Sequence, residues 1–291
     1  MRSLVAAVVF LCIVPEGVNA QDSYLLSISI TPQAHFVVTD PDGRKTGRDP
    51  RGAEKPWQGR PIREIPGASY ATFSVGDAPT DYQADPRDLQ FEFTYRVKTP
   101  DGVGDYGIEV IGFKIGEYRL YVDVDPKPNS NLKARKFARA GVIGENQTVS
   151  YVLRSVGSLK ETGTLAKVAS VITLQQDLSN CYKLELLGQR ELYSDLSHRV
   201  DKFEKYLSHK DSLEARHELL KLKEKIDDVY KKSDKRVDKK KPMRREFISE
   251  DAYKILNEDI SALLEQLPEH RKGKGWEREK NERKDKKEKR D

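Results

Sequence analysis

The sequence predicts an all-β antiparallel sandwich followed by an α-helical bundle or hairpin module, α+β overall with the two kinds of element segregated along the chain. Two periodicities carry this reading. Up to about residue 157, apolar and polar residues alternate in short runs; from about residue 165, apolar residues recur at spacings of three and four. Turn chemistry adds a third observation. Asp40-Pro41-Asp42-Gly43 and Thr99-Pro100-Asp101-Gly102 supply Pro and Gly where a chain reversal needs them, and both lie in the first half.

Residues 1–20, MRSLVAAVVFLCIVPEGVNA, read as a signal peptide. Arg2 gives the positive start, residues 4–14 the apolar stretch, and Pro15 the break. Val18-Asn19-Ala20 places cleavage between Ala20 and Gln21. The apolar run is too short to span ~30 Å of hydrocarbon, so no transmembrane span is expected after cleavage. Cys12 follows Val9-Phe10-Leu11 rather than small residues, which argues against lipid attachment. The expected location is secreted, periplasmic or at the cell surface.

Over 22–157 the strand-like runs are 23–30, 35–39, 70–75, 89–98, 106–112, 118–124 and 148–153. Seven short strands with turns every 10–20 residues predict a β-sandwich domain, and no amphipathic helix between them suggests a parallel sheet. The connection 40–69 is long enough to serve ligand contact, through Asp40, Asp42, Arg44, Thr46, Arg48 and Asp49.

Helices are predicted over 165–187, 190–208, 212–232 and 249–267, making a helical module of 165–268. Leu192, Leu196, Val200, Phe203 and Leu207 form one stripe; Ala215, Leu219, Leu222, Ile226 and Val229 form another after the cap Asp211-Ser212. Ser249 is a suitable N-cap, Glu250 and Asp251 complement the first-turn dipole, and Ala252, Leu256, Ile260, Leu263 and Leu267 run to a stop at Pro268. Cys181 falls in an apolar helical stretch and reads as a buried thiol without a disulfide partner in the cleaved chain.

The 291 residues carry 52 Lys+Arg against 47 Asp+Glu, a net of +5, unevenly placed. Residues 231–245 hold 9 cations against 2 acids, and 271–291 hold 11 against 6, whereas 246–270 hold 1 against 7 and 22–157 balance at 18 each. Lys239, Lys240, Lys241, Lys284, Lys286 and Lys287 are the expected anion contacts. The tail 269–291, with Trp276 as its one large apolar residue, reads as charged and disordered. Export makes an envelope polymer, an acidic glycan or a protein the expected partner, and not genomic DNA.

Four motifs are weighed against enzyme chemistry. Gly102-Val103-Gly104-Asp105-Tyr106-Gly107 matches a dinucleotide pattern, yet Ile108-Glu109-Val110-Ile111 follows as a strand where a helix is required, so it reads as a hairpin turn. Glu214 and His217 form a single Glu-x-x-His on a charged helix, with no second copy to complete a di-metal set. His35, beside Phe36, reads as a strand residue. The acids Asp40, Asp42, Asp49, Asp77, Asp81, Asp85 and Asp88 read as turn formers, with a structural calcium at a sandwich end left open. No catalytic, metal or cofactor residue is expected. Asn146-Gln147-Thr148 is a glycosylation sequon.

Certain motifs carry a resemblance. Val38-Thr39-Asp40-Pro41-Asp42-Gly43-Arg44-Lys45-Thr46-Gly47-Arg48-Asp49-Pro50, Ile65-Pro66-Gly67-Ala68-Ser69-Tyr70, and the paired strands Gly104-Asp105-Tyr106-Gly107-Ile108-Glu109-Val110 and Gly116-Glu117-Tyr118-Arg119-Leu120-Tyr121-Val122 resemble a family of exported bacterial β-sandwich proteins of poorly defined function. They are similar also to the non-catalytic sandwich appended to secreted peptidases. Lys239-Lys240-Lys241 and Ile248-Ser249-Glu250-Asp251 are similar to the C-terminal helical module of multidomain exported proteins. The resemblance implies structural motifs and no catalytic residue. The expected function is that of an exported non-catalytic binding or cell-surface protein, with ligand contact through sandwich loops and electrostatic contact through the basic tail. An accessory protein of a secreted hydrolase and a structural envelope component are the alternatives.

Overall fold

The computed structural model describes residues 24–30, 33–56, 58–74, 91–99, 104–126, 134–156, 163–234 and 246–268. Eleven strands occupy the first part: β1 (Tyr24–Ile30), β2 (Ala34–Thr39), β3 (Lys45–Asp49), β4 (Arg60–Arg63), β5 (Ala68–Ser74), β6 (Phe91–Thr99), β7 (Gly104–Gly112), β8 (Gly116–Pro126), β9 (Arg135–Ile143), β10 (Thr148–Val156) and β11 (Thr164–Val168). Four helices follow: α1 (Val171–Lys183), α2 (Arg190–Ser208), α3 (Ser212–Asp234) and α4 (Glu250–Gln266). The strands form two antiparallel sheets, ordered β5-β6-β1-β8-β9 and β11-β10-β7-β2-β3-β4.

The period of two explains how the sheets meet. Leu26, Ile28 and Ile30 of β1 and Tyr118, Leu120 and Val122 of β8 point the same way from the first sheet. Tyr106, Ile108 and Val110 of β7 and Val149, Tyr151 and Leu153 of β10 point from the second, and all twelve belong to one buried apolar cluster. A second cluster gathers the helical stripes, with Phe203, Leu219, Ile226 and Leu256 at its centre, and reaches the strands through Val142 and Ala169. Ile143, the neighbour of Val142 on β9, belongs to the first cluster. Two adjacent residues of one strand thus serve both cores from opposite faces.

Three helix starts and one helix end have a local cause in their side chains. Ser170 caps α1 in a capping box, its Oγ accepting from Thr173 N at 3.1 Å while Ser170 N donates to Thr173 Oγ1 at 2.7 Å. Asp211 Oδ1 accepts from Glu214 N at 3.1 Å at the start of α3, and Ser249 Oγ accepts from Ala252 N at 3.1 Å at the start of α4. Arg216 of α3 donates to the carbonyls of Leu264 and Leu267, placing a cation at the negative end of α4.

Four expectations are corrected. The first helix begins at Val171, not 165, because Leu165 and Lys167 alternate inward on a strand, β11, that pairs with β10; the strand-rich part therefore runs past 157 to 168. The connection 40–69 is not one long loop: β3 and β4 lie within it and extend the second sheet. The step near 102–107 is no hairpin, since β6 pairs in one sheet and β7 in the other. Strand β9 escaped the sequence reading because Arg135, Lys136 and Arg139 break up its apolar pattern. The signal segment 1–20, the cleavage pair Ala20 and Gln21, and the tail 269–291 lie outside the described residues.

Phe203 is fully buried in the helical cluster. Phe203→Ala is expected to cost about 3–5 kcal/mol in urea unfolding. A loss below about 1 kcal/mol would show that this cluster does not hold the helices together.

Candidate functional site

The helices cover one side of the paired sheets, where β9 ends the first and β11 ends the second. Arg139 of β9 spans the seam: its Nη2 donates to the Leu165 carbonyl of β11 at 2.5 Å, and its Nε lies 3.0 Å from Glu258 Oε1 of α4. Gln266 Nε2 donates to the Ala169 carbonyl at 3.0 Å. Gln147 Oε1, in the turn between β9 and β10, accepts from Gly144 N and from Asn180 Nδ2 of α1, each at 2.7 Å.

Behind this seam lies a cluster of buried charge. Lys167 projects inward from β11, Asp177 from α1 and Asp259 from α4, with side chains 2%, 2% and 0% exposed. Lys167 Nζ lies 2.5 Å from Asp177 Oδ2 and 2.5 Å from Asp259 Oδ1. The contact to Asp177 is a hydrogen bond. Neither Asp259 oxygen has an aligned hydrogen-bond partner. Burial works to strip the proton from Lys167, but the two carboxyl groups reverse that and hold its pKa above the ordinary value. For Asp259, burial dominates, Asp177 adds to it, and the pull of Lys167 is not enough; its carboxyl sits well above the usual carboxylate range.

Apolar and hydroxyl groups close the cluster off. Tyr118 and Tyr151, one from each sheet, share a buried hydroxyl–hydroxyl hydrogen bond of 2.8 Å, and burial raises both phenols. Gly141 makes room for the Tyr118 ring, since a Cβ there would stand 2.5 Å from it. Cys181 of α1 is buried and free, and burial pushes its thiol up, so it is not a reactive thiolate. An amine held against two carboxyl groups away from water can exchange protons with both and can undergo acyl chemistry with either.

The residues singled out from sequence lie elsewhere. Asp40 Oδ1 accepts from Asp42 N at 3.0 Å and Arg44 N at 2.8 Å, its Oδ2 from Arg44 Nε at 2.7 Å, and Asp42 pairs with Arg44 at 2.8 Å. The Arg44 guanidinium thus lies between these two acids. Thr46 Oγ1 donates to the Ile62 carbonyl at 3.2 Å, and Arg48 to that of Gln58. Burial opposes ionisation of Asp49, but its hydrogen bonds with Arg51 outweigh that and hold its pKa below the usual value. Three of the six (Thr46, Arg48 and Asp49) sit on β3 rather than in a loop. Arg44, Arg51, Arg60 and Arg63 are exposed at this end of the second sheet, Arg44 paired with Asp40 and Asp42 and Arg51 with Asp49 and Glu109.

His35 is fully buried on β2 with its ring 5.1 Å from Phe113. Glu214 and His217 are exposed on α3, and no group of three metal-ligating side chains gathers among the described residues. Lys239, Lys240, Lys241, Lys284, Lys286 and Lys287, and the acids Asp77, Asp81, Asp85 and Asp88, lie outside the described residues. No helix among the described residues is long and apolar enough to cross a membrane.

The sequence reading missed Lys167, Asp177 and Asp259, although each stands at a core spacing. Lys167 falls between Leu165 and Ala169 at period two; Asp177 lies three residues after Leu174 and four before Cys181; Asp259 lies three after Leu256 and four before Leu263. No family model, curated protein or solved structure matches this chain.

Two outcomes test this geometry. Lys167→Met, which leaves two acids buried without their cation, is expected to lower unfolding free energy by about 3–5 kcal/mol in a denaturant titration; a loss under about 1 kcal/mol contradicts the pairing. Tyr118→Phe and Tyr151→Phe should each cost about 1–3 kcal/mol by stranding the other hydroxyl, while the double variant recovers part of the loss. Strict additivity in that cycle would mean that the two hydroxyls do not interact.

Proposed function

We propose that the chain is an exported, non-catalytic binding or surface-associated protein, built as a β-sandwich carrying a four-helix bundle, that engages an anionic envelope polymer or acidic glycan. The observation that carries this reading is where cationic charge leaves the fold. The Lys-rich stretch between α3 and α4 starts and ends at one place: Ile248 N donates to Ser233 Oγ at 3.3 Å, and Gly188 N donates to the Phe247 carbonyl at 2.9 Å. Lys231 and Lys232 are exposed at the end of α3, where they also complement its dipole. A second basic stretch, 271–291, follows α4.

Concentrating a net +7 in 231–245 and +5 in 271–291, with a net −6 between them, favours contact with a flexible polyanion at two separated points over a uniform basic face. The signal-like start and the resemblance to exported bacterial proteins support the location. Exposed Arg60 and Arg63 offer a further anion contact at the strand-rich end, where Asp40 and Asp49 hold the backbone in place.

The test is retention on an immobilised sulfated glycan across a salt series from about 50 to 200 mM. The full chain should bind with steep salt dependence, and a chain ending at Pro268 should bind more weakly with a shallower slope. Equal binding by both, insensitive to salt, would remove the electrostatic reading.

A further inference from the structure

We propose that Lys167 and Asp259 become joined by an intramolecular amide bond, formed by the folded chain itself with Asp177 as the base. The proposal stands on the buried cluster and is independent of any binding function.

Amide formation requires a neutral amine, a neutral carboxylic acid, and a group that moves protons between them. The cluster holds the acid and the proton carrier in place, and the amine, held as an ammonium by its two neighbours, becomes a nucleophile only when Asp177 takes its proton. Lys167 Nζ donates to Asp177 Oδ2 across 2.5 Å, so Asp177 is placed to take a proton from the ammonium and free its lone pair. Asp259 is fully buried and held towards its protonated form, the form in which a carboxyl carbon accepts a nucleophile. Nζ stands 2.5 Å from Asp259 Oδ1, which places it beside the carboxyl group whose Cγ it would attack. That contact is not an aligned hydrogen bond. Holding the amine against the carboxyl group away from water gives the reacting pair the advantage of confinement.

The step balances within the cluster. Asp177 takes one proton from the Lys167 ammonium. The freed amine attacks Cγ of Asp259, and the carbonyl π-bond pair moves onto oxygen. Asp177 returns its proton to the Asp259 hydroxyl, which departs as water while the carbonyl reforms. Asp177 then takes one of the two remaining Nζ protons. The C–N bond has replaced a C–O bond, one water has left, Asp177 ends as a carboxylic acid, and nothing is oxidised or reduced. Replacing an ammonium and a carboxylate by an amide and an acid also removes charge from a site that solvates it poorly. Exclusion of water from the seam opposes the reverse reaction.

The bond would link β11 to α4 and close a covalent ring around α1, α2 and α3. It is read directly by denaturing the full chain, digesting with trypsin and measuring masses. The expected main product is peptide 161–183, uncleaved at Lys167, joined to peptide 255–271, with a combined mass one water below the sum. Free peptide 255–271 and cleavage after Lys167 as the main products overturn the proposal. Asp177→Asn keeps the shape of the side chain but cannot act as the base. It is expected to give unjoined peptides from a protein whose circular dichroism remains that of the parent; full joining in that variant overturns the role of Asp177.

Discussion

Burying Lys167 between Asp177 and Asp259 takes three ionisable groups out of water, and an ion left there without its partner costs several kcal/mol. The groups come from β11, α1 and α4, so the cluster is satisfied only when the sheet edge and both helices are in place together. Apolar contacts between helix and sheet tolerate small slips because the hydrophobic effect has no direction. A cation 2.5 Å from each of two acids does not. The ion cluster thus sets the position of the helices on the strands, and the apolar residues Val142, Ala169 and Leu174 fill in around it. Arg139, Gln147 and Gln266 extend the same constraint outward by tying backbone carbonyls and turns of the strand region to α1 and α4.

Seven of the strands were legible in the sequence: β1, β2, β5, β6, β7, β8 and β10. β1, β7, β8 and β10 lie in the middle of their sheets and alternate cleanly, because one side of each faces the shared core. Those that were not legible lie at or near edges. β4 contains Pro61 beside exposed Arg60 and half-buried Ile62, β3 contains Gly47, and β9 carries three cations. Such composition protects an edge from pairing with another chain, and it erases the pattern by which a strand is recognised. β11 failed for a different reason. Its buried positions are only Leu165 and Lys167, and the charge on the second hides the period.

The helical part was more legible because its stripes are long. Ala215, Leu219, Leu222, Ile226 and Val229 are all buried on α3, as are Leu192, Leu196, Val200 and Phe203 on α2. The candidate site was hidden by the same logic that revealed the helices. A scan for apolar residues at spacings of three and four passes over a charge at such a spacing, although a charge there is the more informative residue, since it must find a partner inside. The polar turn at 40–44 shows the converse. Its acids attracted attention as ligand contacts, yet the backbone and Arg44 take up their hydrogen bonds, which a sequence pattern does not reveal.

Where the helices cover the strands also explains why the seam is the place at which a covalent bond would matter. Lifting α4 from the sheets would at once expose the apolar faces around Leu256 and Val142, break the pairing of Arg139 with Glu258, and leave Lys167 without Asp259. These losses occur together, so α4 is the element whose opening most weakens the contact between the two cores. The described thiol, Cys181, is buried and free, so no disulfide restrains that opening among the described residues. A bond between Lys167 and Asp259 would join the two sides of this seam directly. It would convert a cluster that depends on exact ionic pairing into one held by chain connectivity, and every opening of α4 would then be local and reversible.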